Sequence, residues 1–378
     1  MEAYVTGSGQ CLPGPPISNA QMEAHIGHLS PRARRMGQLM LRRNGIRSRH
    51  YAIDAEGRSD WTVAKLGAAA IADLLSRANL DPAAIGFLAT ATTQNDLMVP
   101  GLASGVQAES GLPPLEVASL QSVCASSMMA MKSAALQIAA GEHRAALAVG
   151  AEFASRYFRS GQYRDTDTLA DDMTLASDAE FLRWTLSDGA AALLIEDRPS
   201  ARGLSLRIDW VSQRSFADRF APCMTGGAIR GADGSITPWS MVGDIHAAAR
   251  AGAFQLRQDV DALHRMLPVW LAELMRLIDE GRVVPEEVDW FLCHFSAHAL
   301  REEMTRLATR AGCMIPAERW FTNLYDKGNV GAASPFLMID DLLRSAALTP
   351  GQRVLCAVPE SGQCIMAYAM LTVVGERR

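Results

Sequence analysis

The chain has no Cys-x-x-Cys pair, no block of basic residues and no apolar run long enough to span a bilayer. Each absence removes a class of function. Seven cysteines, Cys11, Cys124, Cys223, Cys293, Cys313, Cys356 and Cys364, stand without paired spacing, which argues against a disulfide framework and against a zinc site. A formal net charge of −5 with no basic block gives no nucleic-acid footprint. The first residues, MEAYVTGSGQ, lack the basic and apolar regions of a signal peptide. The expectation is a cytoplasmic protein with reduced thiols, no metal, and neither nucleic acid nor membrane as partner.

What the chain does have is apolar material and a repeat. Its 378 residues are 49% hydrophobic and 20% charged, enough for a sizeable core in two domains or one large duplicated unit. Helical and strand patterns alternate along it, which predicts an α/β fold. Residues 61–93 (WTVAKLGAAAIADLLSRANLDPAAIGFLATATT) read as helix, proline turn and short apolar strand. Residues 267–297 (LPVWLAELMRLIDEGRVVPEEVDWFLCHFSA) read the same way. A strand, a turn of small residues, a helix and a strand follow in both halves. The duplication predicts boundaries at 1–200 and 201–378, with Cys124 and Asn329 at equivalent strand-to-helix turns and His294 at the end of a second-half strand. Loops at strand C-termini are where open α/β sheets hold ligands.

Each of these three residues has an ordinary structural reading when taken alone. Free cysteine is among the most buried residue types, a lone histidine is usually a satisfied core group, and asparagine is common in turns. Together they read as chemistry. A thiol at a helix N-terminus meets the positive end of the helix dipole, which predicts a lowered pKa and an activated nucleophile.

Six ordered segments then resemble the thiolase-fold condensing enzymes, and within them the β-ketoacyl-ACP synthase III (KAS III) group. They are LRRNGIRSRHYA (41–52), ATATTQNDLMVPGLASGVQAESGL before the cysteine, SVCASSMMAMKSAALQIAAGEHRAALAVGAE around it, SDGAAALLIED (187–197), VDWFLCHF and GNVGAAS. The resemblance implies a duplicated αβαβα thiolase-like fold. It implies an acyltransferase in which Cys124 accepts an acyl group from a CoA or acyl-carrier-protein thioester. A malonyl or β-ketoacyl thioester then undergoes decarboxylative Claisen condensation, its enolate stabilised by His294 and Asn329. It also implies an oxyanion hole from the N–H groups of Cys124 and Gly362, and CoA or pantetheine phosphate binding at Arg43, with Arg47 and Arg49 weaker candidates. Thioesters are substrates here; no other cofactor is implied. A homodimer is implied too.

The match departs from housekeeping members in two places. Phe295-Ser296-Ala297 follows the histidine in place of Gln-Ala-Asn, and ESGQCIMAY replaces a glycine-rich segment followed by Thr-Trp-Gly. Extra polar sequence around 155–185 and 205–265 is expected to form caps or dimer-contact loops near the substrate entrance, or surface insertions. These departures point towards divergent members of secondary metabolism. Alternatives are acyl transfer to form an ester or amide, and a non-catalytic partner subunit.

Overall fold

A computed structural model describes residues 2–375 except 28, 79, 169–176, 202, 232 and 346. Ten strands form one sheet: β1 (Tyr4–Cys11), β2 (Phe87–Thr92), β3 (Glu116–Gln121), β4 (Ala145–Glu152), β5 (Gly189–Glu196), β6 (Ser205–Ser215), β7 (Trp290–Cys293), β8 (Trp320–Phe321), β9 (Arg353–Glu360) and β10 (Ile365–Val374). Their spatial order is β8-β7-β9-β10-β6-β1-β5-β4-β2-β3. Read outward from the β1–β6 junction, the two sides have the same plan. Each has two antiparallel strands and then three parallel ones, with β5, β4, β2 and β3 matched by β10, β9, β7 and β8. The repeat read in the sequence is therefore present in the strand order, and the two copies meet through the antiparallel pairing of β1 with β6.

Five helices matter for the site: α1 (Val63–Ala78), α2 (Ser126–Ala140), α3 (Val260–Asp279), α4 (His298–Ala311) and α5 (Ser334–Arg344). In α1 the buried residues Val63, Leu66, Gly67, Ala70, Ile71 and Leu74 recur at helical spacing, so one face seats on the first-half strands. The approach is close: a Cβ added at Gly9 of β1 would lie 2.3 Å from the Ala70 carbonyl oxygen. In β4 alternate residues belong to different cores. Leu147 and Val149 join the α1 side, whereas Ala146 and Ala148 join an inner cluster with Met128 and Met131 of α2 and Phe336 and Leu337 of α5. Leu263, Leu267 and Leu274 of α3 cover the second-half strands with Phe291, Leu355 and Met370. The two halves of the sheet stack with α2 and α5 between them and helices outside, so the layers are helix, half-sheet, helix, half-sheet, helix. Strands covered on both faces carry apolar residues at nearly every position, as AALAVGAE does here.

One expectation needs correcting. Residues 205–215 are not inserted cap sequence but β6, a full member of the sheet paired along its length with β10. The cap proper begins after it, where Met224–Thr225 pairs with Arg257–Gln258 and Ala228–Arg230 with Ile236–Pro238.

Candidate active site

The middle helix layer sets the site, because both of its helices begin at turns that face the same cavity. Cys124 lies two residues before α2. His294 directly follows β7, its N–H bonded to the Ala357 carbonyl of the neighbouring β9 at 2.9 Å. Asn329 lies five residues before α5, separated from it by a short 3₁₀ turn over Gly331–Ala333. Each of Cys124 and Asn329 thus lies two residues before its helical segment begins, in the second half as a 3₁₀ turn that runs into α5. All three side chains line one cavity and are buried, at 7%, 4% and 3% exposure.

Asn329 is fixed on every side but one. Its N–H meets the Thr185 carbonyl at 3.4 Å, its carbonyl accepts from Ser187 N–H at 2.8 Å, and its Oδ1 accepts from Gly331 N–H at 2.9 Å. Only the Nδ2 donor stays uncommitted. His294 is similar: its Nε2 is buried and has no hydrogen-bond partner among the described residues. Burial lowers its pKa to about 4, so the ring is neutral near pH 7. Among the described residues the site therefore holds a neutral imidazole nitrogen and an amide nitrogen without partners, and with the ring proton on Nε2 both are donors suited to a negative charge created during a reaction.

The thiol does not behave as expected from its helix. Burial pushes the Cys124 pKa well up, with Glu360 and Glu152 adding to the shift. The reason is visible at the helix start. Glu360, the last residue of β9, accepts from Ala125 N–H at 2.8 Å and from the Ser122 hydroxyl, so a carboxyl group already occupies the positive end of α2. The backbone N–H groups of Cys124 and Gly362 are not engaged by other groups among the described residues. Gly362 sits against the nucleophile turn, where an added Cβ would lie 3.0 Å from Val123 Cγ2.

Glu152, the last residue of β4, does the matching work at the other turn. Its Oε1 accepts from Ala332 N–H at 2.9 Å, Thr93 N–H at 3.0 Å and the Thr93 hydroxyl at 2.6 Å. Gly150 of the same strand is needed for this approach, since a Cβ there would lie 2.6 Å from the Ala332 carbonyl oxygen. Burial raises the Glu152 pKa to about 7, and the residue lines the cavity. Neither glutamate is among the site residues expected from sequence. A signal for them exists, because ALAVGAE and VLCAVPE end alike at the same place in the two halves.

The cavity encloses about 50 Å³. It is a narrow slot. Its walls include Leu182 from one extra segment and Met224 and Leu256 from the other, so both segments reach the cavity. The arginines lie elsewhere. Arg43 is exposed on the helix Pro31–Asn44, and Arg47 pairs with Asp326 at 2.7 Å on the surface. Arg49 is fully buried and donates to the Trp184 carbonyl and Asn19 Oδ1, a structural role that leaves no guanidinium edge for phosphate. None of the three lines the cavity.

Comparison with known proteins agrees with this geometry. Residues 48–178 match the family described as thiolase, N-terminal domain, and residues 278–370 match 3-oxoacyl-(acyl-carrier-protein) synthase III C terminal. The chain is a KAS III-like member of the thiolase-fold enzymes. Solved structures similar to it include the tetronic acid condensing enzyme AbyA1, at 22% identity over 98% of this chain and 100% of that one, with a TM-score of 0.76. Synthase III (FabH) from Pseudomonas aeruginosa PAO1 matches at 20% identity over 98% of both chains, TM-score 0.72. A single-residue variant of OleA from Xanthomonas campestris matches at 18% identity over 99% of this chain and 97% of that one, TM-score 0.76. At these identities the structures share the fold. The KAS III-like chain has no helix among its described residues that is long and apolar enough to cross a membrane.

Proposed function

We propose that this enzyme takes an acyl group from a CoA or acyl-carrier-protein thioester onto Cys124 and extends it by decarboxylative condensation. The Cys124 sulfur attacks the thioester carbonyl, its proton passes to the departing sulfur so that the donor leaves as a thiol, and the oxyanion is met by the Cys124 and Gly362 N–H groups. A malonyl thioester then loses CO2. Its enolate oxygen accepts from His294 Nε2–H and Asn329 Nδ2–H, its carbon attacks the acyl carbonyl, and the Cys124 sulfur leaves. Asparagine can donate to an enolate but cannot abstract a proton, which favours decarboxylation as the route to the carbanion. Divergence after the histidine and in ESGQCIMAY fits a role in secondary, fatty-acid-derived metabolism in the cytoplasm.

The observation that carries this reading is the pair of unpaired donors, His294 Nε2 and Asn329 Nδ2, in the slot that also holds Cys124. We further infer a homodimer. Among the described residues strand β3 is an unpaired sheet edge with Val117 exposed, and Leu97, Met98 and Val99 in the connection that leads to it are 59%, 81% and 81% exposed, apolar surface that a second copy would cover. Arg43 and Arg47 are assigned to the donor's phosphates.

The test is mass spectrometry of the protein with a panel of acyl-CoA and acyl-carrier-protein thioesters. The expected result is an acyl mass on the Cys124 peptide, followed by CO2 release and a β-ketoacyl product when malonyl thioester is added. Transfer of the acyl group to an alcohol or amine with no CO2 released would replace condensation by ester or amide formation. No adduct with any thioester would favour a non-catalytic subunit.

A further inference from the structure

One polar side chain in the slot has no role in the reaction above. Gln258 lies in the two-residue ribbon in which Arg257 and Gln258 pair with Thr225 and Met224. Successive residues of a ribbon point to opposite faces. Arg257 binds Asp178 Oδ2 at 3.3 Å and Gln255 Oε1 at 3.2 Å, whereas Gln258 and its register partner Met224 line the cavity. Gln258 is 2% exposed, and its Nε2 is buried with no hydrogen-bond partner among the described residues. The same cavity is lined by the aliphatic side chains of Leu182, Leu256, Leu263 and Leu267, which would hold a hydrocarbon chain.

A buried amide without a partner is costly. A purely hydrocarbon acyl chain would leave that cost in place and would be served better by leucine at this position. An amide kept here is explained by a ligand that completes it. We propose that Gln258 is a specificity-determining residue that reads an oxygen on the acyl chain, so that the preferred substrate is an aliphatic acyl thioester bearing a hydroxyl or keto group. A hydroxyl is the better probe, because it can both accept from Nε2 and donate to Oε1. This inference rests on the slot being an acyl site, as proposed above.

The experiment has two arms. In the first, the Cys124→Ala protein is titrated with octanoic acid and with its monohydroxylated isomers, the hydroxyl placed in turn at each carbon beyond the α position. Thermal shift and calorimetry then report binding without any chemistry. One isomer is expected to bind about 10- to 100-fold more tightly than octanoic acid, and Gln258→Leu in that background is expected to abolish the difference. The Gln258→Leu protein should itself melt no lower than its parent, because it loses an unpaired amide, which separates loss of recognition from loss of fold. In the second arm, the wild-type protein is given the corresponding CoA thioesters and Cys124 acylation is followed. If all isomers bind like octanoic acid, or if Gln258→Leu keeps the preference, the inference is wrong even where Cys124 acylates. If the preference is seen but no thioester acylates Cys124, the recognition stands and the condensing role falls.

Discussion

The nucleophile turn and the asparagine turn begin the two inner helices of a duplicated fold, yet they have been put to opposite uses. At the first, β9 from the second half delivers Glu360 to Ala125 N–H, and a buried thiol is kept protonated. At the second, β4 from the first half delivers Glu152 to Ala332 N–H, and an amide donor is left open to the slot. The supporting device is the same, a strand-final glutamate crossing from the other copy. What differs is the residue presented, sulfur for covalent attachment and nitrogen for holding charge. A repeated scaffold can thus supply two unlike chemical groups to one cavity while keeping a single way of bracing them.

The sharpest way to break this comparison is to remove each presented group. Cys124→Ala should eliminate the acyl adduct altogether, as read by intact-protein mass. Asn329→Ala should leave acylation within a few-fold of wild type and lower condensation by about 10²- to 10³-fold, the range seen when one donor to a developing charge is lost. If condensation survived that change intact, the enolate role given to Asn329 would be wrong.

The next effect separates the two braces. Glu152→Ala and Glu360→Ala each leave buried amide donors unpaired, and each should cost roughly 2–3 kcal/mol in denaturant unfolding. Their functional consequences should be crossed. Glu360→Ala should speed alkylation of Cys124 by iodoacetamide, because a carboxyl that opposes the thiolate is gone, while Glu152→Ala should act chiefly on condensation through the asparagine turn. Equal effects of both on both assays would show that the braces are not separable.

Smaller effects appear with pH. The folded-state pKa of Glu152 is raised from 4.5 to about 7 by burial, so the folded form holds a proton that the unfolded chain releases. Its contribution to stability is fully present below about pH 4.5 and is lost as the pH rises to about 7. Glu152→Gln should flatten that part of a stability-against-pH curve. His294 runs the other way, since its pKa is depressed from 6.5 to about 4. Its contribution is present above pH 6.5 and disappears as the pH falls through about 4. A His294→Asn protein should lack this acid-side loss in chemical unfolding.

How much of this can be read from the sequence follows from what each feature depends on. Cys124, His294 and Asn329 are legible because each sits where an apolar strand or helix pattern breaks, and the duplication tells which breaks face each other. The strand-final glutamates are readable in principle from the same repeat, but their partners are backbone amides of the opposite copy, and no side-chain motif marks those. The pKa of Cys124 departs from the sequence expectation for that reason: the helix dipole is visible in sequence, whereas the carboxyl that neutralises it arrives from β9, far along the chain. Residues 205–215 resemble an insertion because Arg207, Asp209, Arg214 and Ser215 interrupt the apolar pattern, and β6 is only partly covered. Gln258 is out of reach altogether, because a two-residue ribbon has no periodicity to read.

The crossed glutamates also bear on how such a chain can change. Each copy of the repeat holds the other copy's working turn in place. A substitution that moves the end of β4 or β9 is therefore felt in the half that did not mutate. Splitting the chain between β5 and β6 would leave two fragments, each with its strand end intact and its turn unbraced. In the language of inheritance, the two halves are linked alleles of one site, and neither is free to vary alone.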